Sequence, residues 1–288
     1  MSLENLGALA LRQLPRSHDQ NSQYARPLKN LGIFRQHRPS SFEAAIYEPV
    51  ICLILQGRKE MGLGADSYAM RPGECLLISH DLPVIARVTK TPYLSLLFDV
   101  DLDTLRDLNE SMTASQRSGT EARSLTVHAC DAKLVDALQR YLALADSEQD
   151  TAVLAPLISR EIHYRLATAP FGGMLRALIQ RGSYASAIAT AIAQLRRGFR
   201  KPIEIPKLAR SVGMSASSFH KHFKAITAVS PLQYRKGLQL LEARRLLRAG
   251  TLSVTAIAFE VGYESAAQFS RDYARKFRVP PKRDIPPQ

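Results

Sequence analysis

The spacing of apolar positions along the chain changes from helical to strand-like and back again. Leu3, Leu6, Leu9 and Ala10 form a short amphipathic stripe, so residues 1–30 read as a helix followed by an arm rich in Ser, Asn, Gln and Arg. From about Gly32 to Asp99 the apolar runs shorten. Val50 to Gln56 is a buried-strand run, and Gly57-Arg58-Lys59 is expected to turn it back into a second strand. Gly64-Ala65-Asp66 and Arg71-Pro72-Gly73-Glu74 are further turn signals, Cys75 to Ile78 follows as a strand, and Tyr93 to Phe98 closes the series. Short strands punctuated by Gly and Pro predict an antiparallel sandwich or small barrel.

Two helical stripes come next. Leu134, Ala137, Leu138, Tyr141, Leu142 and Ala145 repeat at helical spacing, as do Leu154, Leu157, Ile158, Glu161, Ile162 and Arg165. Such a pair can pack on the barrel or form a subunit interface, which leaves a homodimer open. Ala169-Pro170-Phe171-Gly172-Gly173 breaks the pattern and reads as a linker.

The C-terminal part contains one pattern twice. Leu208-Ala209-Arg210-Ser211-Val212-Gly213 aligns with Ile257-Ala258-Phe259-Glu260-Val261-Gly262, and Phe219, Lys221 and Phe223 align with Phe269, Arg271 and Tyr273. A small Ala lets two helices cross closely, and Gly supplies the positive φ of a tight inter-helix turn. These are two helix-turn-helix units, at about 204–226 and 253–277. Ser215 and Ser265 offer N-caps to the second helix of each, Ser265 within a capping-box pattern that ends at Gln268. Ser230-Pro231-Leu232-Gln233 starts a joining helix expected to reach about Arg248 and stop at Gly250. At 1.5 Å per residue it spans roughly 27 Å, comparable with the ~34 Å repeat of a DNA turn.

Charge gives this repeat a partner. Residues 181–288 hold 20 Lys+Arg against 6 Asp+Glu, leaving 19 against 20 for the rest, so essentially the whole net charge of +13 lies on the repeat. A basic block carrying paired helix-turn-helix units points to double-stranded DNA. Base-contact candidates on the outward faces are Ser217, His220 and Lys221, then Ala266, Ala267, Gln268 and Arg271. Lys201, Lys207, Lys224, Arg235 and Lys236 are phosphate candidates.

Composition fits an ordinary folded protein, with 45% hydrophobic and 23% charged residues. No apolar run approaches the ~20 residues of a membrane span, and the N-terminus lacks the form of a signal peptide, so a cytoplasmic protein without a membrane partner is expected.

The repeat resembles the AraC/XylS family of bacterial transcription regulators through the stretches LARSVGMSASSFHKHFK, SPLQYRKGLQLLEARRLL, AIAFEVGYESAAQFSRDYARKF and VPPKRD. The stretch YEPVICLILQGRKEMGLGADSYAMRPGECLLISHDLPVIARV is similar to the N-terminal domain of one branch of that family. The resemblance implies an α+β protein: a cupin-like antiparallel β-barrel with a helical connector over 31–170, and an all-α DNA-binding domain over 181–288. It further implies a small-molecule effector, a regulator acting more often as activator than repressor, and contact with RNA polymerase. Ala228 and Arg278 stand at turn positions where the family commonly has Gly.

Two enzyme-like alternatives follow from the barrel and the thiols. A cupin-type metalloenzyme needs clustered His and carboxylate ligands, yet the barrel segment offers only His37 and His80, without a His-x-His. His80, ahead of Asp81-Leu82-Pro83, reads as a loop residue. Neither a metal nor another cofactor is implied, and no enzyme activity is expected. Cys52, Cys75 and Cys130 are odd in number and widely spaced, which leaves an electrophile- or oxidant-sensing thiol as the alternative regulatory reading.

Overall fold

The computed structural model describes residues 3–15, 21–111 and 123–285. The first part is α1 (Leu3–Arg12), seven strands, α2 (Leu102–Ser111), a last strand β8 (Leu125–Ala129), α3 (Ala132–Ala143), α4 (Glu148–Thr168) and α5 (Gly173–Ile179). The strands before α2 are β1 (Ser22–Leu28), β2 (Leu31–Gln36), β3 (Glu43–Tyr47), β4 (Val50–Leu63), β5 (Asp66–Met70), β6 (Glu74–Ile78) and β7 (Leu82–Asp99). The rest is helical: α6 (Tyr184–Gly198), α7 (Ile205–Ser211), α8 (Ala216–Thr227), α9 (Pro231–Ala249), α10 (Val254–Glu260) and α11 (Ala266–Phe277). No helix among the described residues is long and apolar enough to cross a membrane.

All strand pairings are antiparallel, and two long strands organise them. The first half of β4 and the second half of β7 lie between β6 and β2, while their other halves carry β5 and β3. Gly57 does not turn the chain back as expected. It bends a continuous β4 at φ +76°, where a Cβ would meet the Lys90 carbonyl oxygen at 2.3 Å. The register shifts between Ile54 and Lys59 are the bulges that accompany this bend. Part of the expected polar arm is strand as well. Tyr24 pairs with Phe34 and Ala25 with Ile33, which extends the sheet to Ser22, while residues 16–20 of the arm lie outside the described residues.

Strand alternation sorts the apolar residues into two cores. Ile51, Leu53, Leu94, Leu96 and Phe98 face outward beneath α1, α3, α4 and α5. Cys52, Ile54, Met61, Leu76, Val84 and Tyr93 face into the barrel. Helix α3 buries the predicted stripe from Leu134 to Leu142, whereas Ala145, its last expected position, lies beyond the helix end and is half-buried. Helix α4 buries its C-terminal part, Ile162, Leu166 and Ala167, but leaves Val153 64% and Leu157 63% exposed.

The helical part has two cores that share α9. Phe219, Phe223, Tyr234 and Leu238 belong to the first, while Leu240, Ala243, Leu247, Phe269 and Tyr273 belong to the second. The joining helix starts at a closed capping box, in which Gln233 N donates to Ser230 Oγ at 3.3 Å and Ser230 N donates to Gln233 Oε1 at 2.9 Å. It ends at Gly250 with φ +70°.

Candidate nucleic-acid interface

Each unit uses its repeated residues alike. Ala209 and Ala258 are fully buried at the helix crossings, and Gly213 and Gly262 adopt φ of +72° and +87° in the turns. Ser215 Oγ accepts from Ser218 N at 3.2 Å to open α8, and Ser265 Oγ accepts from Gln268 N at 3.3 Å to open α11. Phe219 and Phe223, like Phe269 and Tyr273, hold the inner face of each second helix against its core. The opposite face of α8 exposes Ser217, His220 and Lys221, and that of α11 exposes Ala267, Gln268 and Arg271. Ala266 is half-buried and packs against the second core, so it presents less surface than its neighbours.

The basic residues divide by what they touch. Lys201, Lys207 and Lys224 are exposed. Arg235 Nε donates to the Phe199 carbonyl at 2.8 Å, and Lys236 Nζ pairs with the buried Asp272 carboxylate at 2.9 Å. Arg244 Nε and Tyr273 Oη both donate to Asp284, at 2.9 and 2.6 Å. Gln239 Nε2 donates to the Gly262 carbonyl at 3.1 Å. These bonds tie α9 to the end of α6 and to the second unit, while Tyr234 and Leu238 pack it against the first. Lys276 turns inward, and burial pushes its pKa down to about 8. On α8, His222 stacks on Tyr184 of α6 with ring centroids 3.6 Å apart.

Both second helices end in the left-handed region without glycine, at Ala228 with φ 61° and Arg278 with φ 59°. The turn geometry is therefore kept at the two positions where Gly was expected. Ala228 gains a neighbour by it, for its methyl group packs against the core inside the barrel.

That contact is part of a junction that sequence reasoning missed. Tyr234 Oη on α9 donates to the Asp81 carbonyl at 2.6 Å, while Arg196 on α6 bonds the Asp81 carboxylate and Glu48, the latter at 2.9 Å. Ser124 bonds the Ile226 carbonyl at the end of α8. His80 is a loop residue, as read, but only 3% exposed: Nδ1 meets Ser79 Oγ at 2.8 Å and Nε2 meets the Ala185 carbonyl at 3.1 Å. A carbonyl only accepts, so Nε2 carries the proton. Burial pushes the His80 pKa down to about 4. The one local signal for this junction was the run His80-Asp81-Leu82-Pro83, whose partners are over a hundred residues away. A cleft of about 280 Å³ beside the junction places Lys224 among Asp66, Tyr68 and Arg123.

The sheet separates Cys52 from Cys75 and Cys130. Cys52 belongs to the core inside the barrel and Cys75 to the outer core, both fully buried, while Cys130 is half-buried. Cys130 lies beside Cys75, and this neighbour holds the Cys75 thiol below its usual range. No group of three His, Cys, Asp or Glu with metal-binding geometry occurs among the described residues.

Known proteins share this arrangement. Residues 27–174 match the AraC-type transcriptional regulator N-terminus, and residues 208–284 match a helix-turn-helix domain. The HTH-type transcriptional regulator CdhR of Pseudomonas aeruginosa is 31% identical over 144 residues, half of this chain and 39% of that protein. The virulence regulon transcriptional activator VirF of Yersinia enterocolitica is 23% identical over 234 residues, 80% of this chain and 86% of that one. The fold is similar to that of unsaturated fatty acid-bound ToxT from Vibrio cholerae, with a TM-score of 0.58 at 11% identity over 94% of this chain and 97% of that one. With its N-terminal domain and its paired helix-turn-helix units both accounted for, the chain belongs to the AraC-type transcriptional regulators.

Proposed function

We propose that this regulator reads duplex DNA asymmetrically through α8 and α11 and passes effector binding in the barrel to α8 through the junction. Ser217, His220 and Lys221 face one major groove. Ala267, Gln268 and Arg271, with Ala266 at the edge, face the next. Gln suits adenine, Arg and Lys suit guanine, and Ala suits the thymine methyl. Lys201, Lys207 and Lys224 serve the phosphates. Arg235 and Lys236 act first by holding α9 in place.

The observation that carries the regulatory part is the seating of Ala228 and the Ile226 carbonyl, the end of the first recognition helix, against the barrel. A change in barrel packing has a direct path to the orientation of α8. Activation through RNA polymerase, from a cytoplasmic homodimer, completes the reading.

Selection of binding sequences from random duplexes with the full chain, followed by footprinting, tests it. The expected site has two unlike half-sites about 10–10.5 base pairs apart. Selection of identical half-sites, or of no sequence at all, overturns the reading.

A further inference from the structure

Lys59 is a buried cation inside an apolar barrel. It lies on β4 only 7% exposed, two and four residues before Met61 and Leu63 of the interior core. Its Nζ donates to Tyr47 Oη at 2.8 Å and stands 5.1 Å from the centroid of the same ring. It forms no ion pair among the described residues, although the neighbouring Glu60 pairs with Arg87 outside. Burying an ammonium group beside one neutral hydroxyl is costly, and an anion brought to it recovers that cost.

The surroundings supply space for such an anion. A cavity of about 110 Å³ is lined by Lys59, Tyr47, Phe34, Gln36 and Val88, with Arg87, already paired with Glu60, and the exposed Glu43 at its rim. Strand register brings a second hydroxyl close, because Tyr93 pairs with Gln36 across β2 and β7. The Tyr93 hydroxyl is buried without a hydrogen-bond partner among the described residues, and its ring lies 6.0 Å from Phe34. One cation without an ion pair among the described residues, polar groups at one end and aromatic and aliphatic walls at the other make an amphipathic site. A doubly charged phosphate would leave a charge unmatched there. For scale, an apolar cavity of about 150 Å³ accepts benzene.

We propose that the barrel cavity binds a small organic carboxylate, its carboxylate on Lys59 and its short apolar body against Phe34 and Val88. This rests on the reading of the barrel as an effector domain and names the chemical class of the effector. Tyr47 positions the ammonium group, and Gln36 borders the carboxylate end.

The test is calorimetry and thermal denaturation of the full chain with acetate, propionate, butyrate and benzoate, against propionamide, benzamide and inorganic phosphate at matched ionic strength. At least one carboxylate gives a saturable rise in Tm that its amide and phosphate do not. Lys59→Met abolishes that rise. Tyr47→Phe, which keeps the ring, weakens binding about five- to tenfold, the scale of one lost hydrogen bond, and provides the readout should Lys59→Met fold poorly. The proposal is overturned if the amide binds as tightly as its acid, if folded Lys59→Met binds the acid unchanged, or if none of the four acids binds. A carboxylate that binds through Lys59 without altering affinity for the selected duplex upholds the site and counts against the regulatory reading alone.

Discussion

Gly64, at the tip of the β4–β5 hairpin, sits so close to Ala228 that a Cβ added to Gly64 would come within 2.8 Å of the Ala228 carbonyl oxygen. Ala228 ends the first recognition helix, so the barrel touches the DNA-binding part where α8 is anchored. Gly64→Ala should therefore loosen the junction. Gly73→Ala is the matched control: its φ of +86° is equally adverse, but nothing lies within 4 Å of an added Cβ. Both variants should lose on the order of 1–2 kcal/mol to backbone strain, with Gly64→Ala losing about 1–3 kcal/mol more through overpacking. Urea denaturation measures the difference. Equal losses would mean that the junction does not contribute to stability.

The base reader proposed on α11 and the phosphate contact proposed on α7 can be told apart by titration. Arg271→Ala should cost about 1–3 kcal/mol at one base position of the selected site and little on random duplex. Lys207→Ala should weaken selected and random duplexes alike and reduce the slope of log K against log salt by about 0.9. Titrations at several salt concentrations decide both. If Arg271→Ala lowers affinity equally for the two duplexes, Arg271 is not a base reader.

The buried His80 gives the junction a pH dependence. Its folded pKa of about 4 lies below the ordinary value of 6.5, so between these values the unfolded chain takes up a proton that the folded chain refuses. Stability is complete above about pH 6.5 and falls as pH drops toward 4, by on the order of 3 kcal/mol. His163 is shifted in the same direction by its own burial and adds to the slope. In His80→Gln the slope between these limits should shrink but not vanish. A slope equal to that of the parent chain would remove His80 from the account.

Val153, Leu154 and Leu157 stand on the outward face of α4, with Leu157 63% exposed. Exchange of a residue this exposed should leave Tm within about 0.5 kcal/mol equivalent of the parent. If α4 joins two copies, Leu157→Glu should convert dimer to monomer in sedimentation equilibrium. A parent chain already monomeric at the concentrations used for DNA binding would end that idea.

Much of this was legible from local pattern. The doubled Ala and Gly positions, the caps at Ser215, Ser230 and Ser265, and the stop at Gly250 depend on contacts a few residues apart, and side-chain type alone specifies them. The outward placement of His220, Lys221, Gln268 and Arg271 followed from helical periodicity once Phe219 and Phe269 were taken as inward. The α3 stripe was correct from Leu134 to Leu142 for the same reason, while Ala145 falls past the end of the helix. Gly57 was misread as a turn because a glycine at positive φ ends a strand or bends one, and the Lys90 carbonyl that forces the bend is distant in sequence.

By itself, then, the sequence determined the two-part α+β architecture, the pairing of the helix-turn-helix units and the face each second helix turns outward, all consequences of short-range periodicity and charge. Only the tertiary structure decided that Arg235 and Lys236 brace α9, that Asp81 is held by Tyr234 and Arg196, and that Lys59 is enclosed with Tyr47 inside the barrel. Whether a basic residue faces water, a carboxylate or an apolar wall is set by segments that meet after folding, and no local pattern of residue types encodes that meeting.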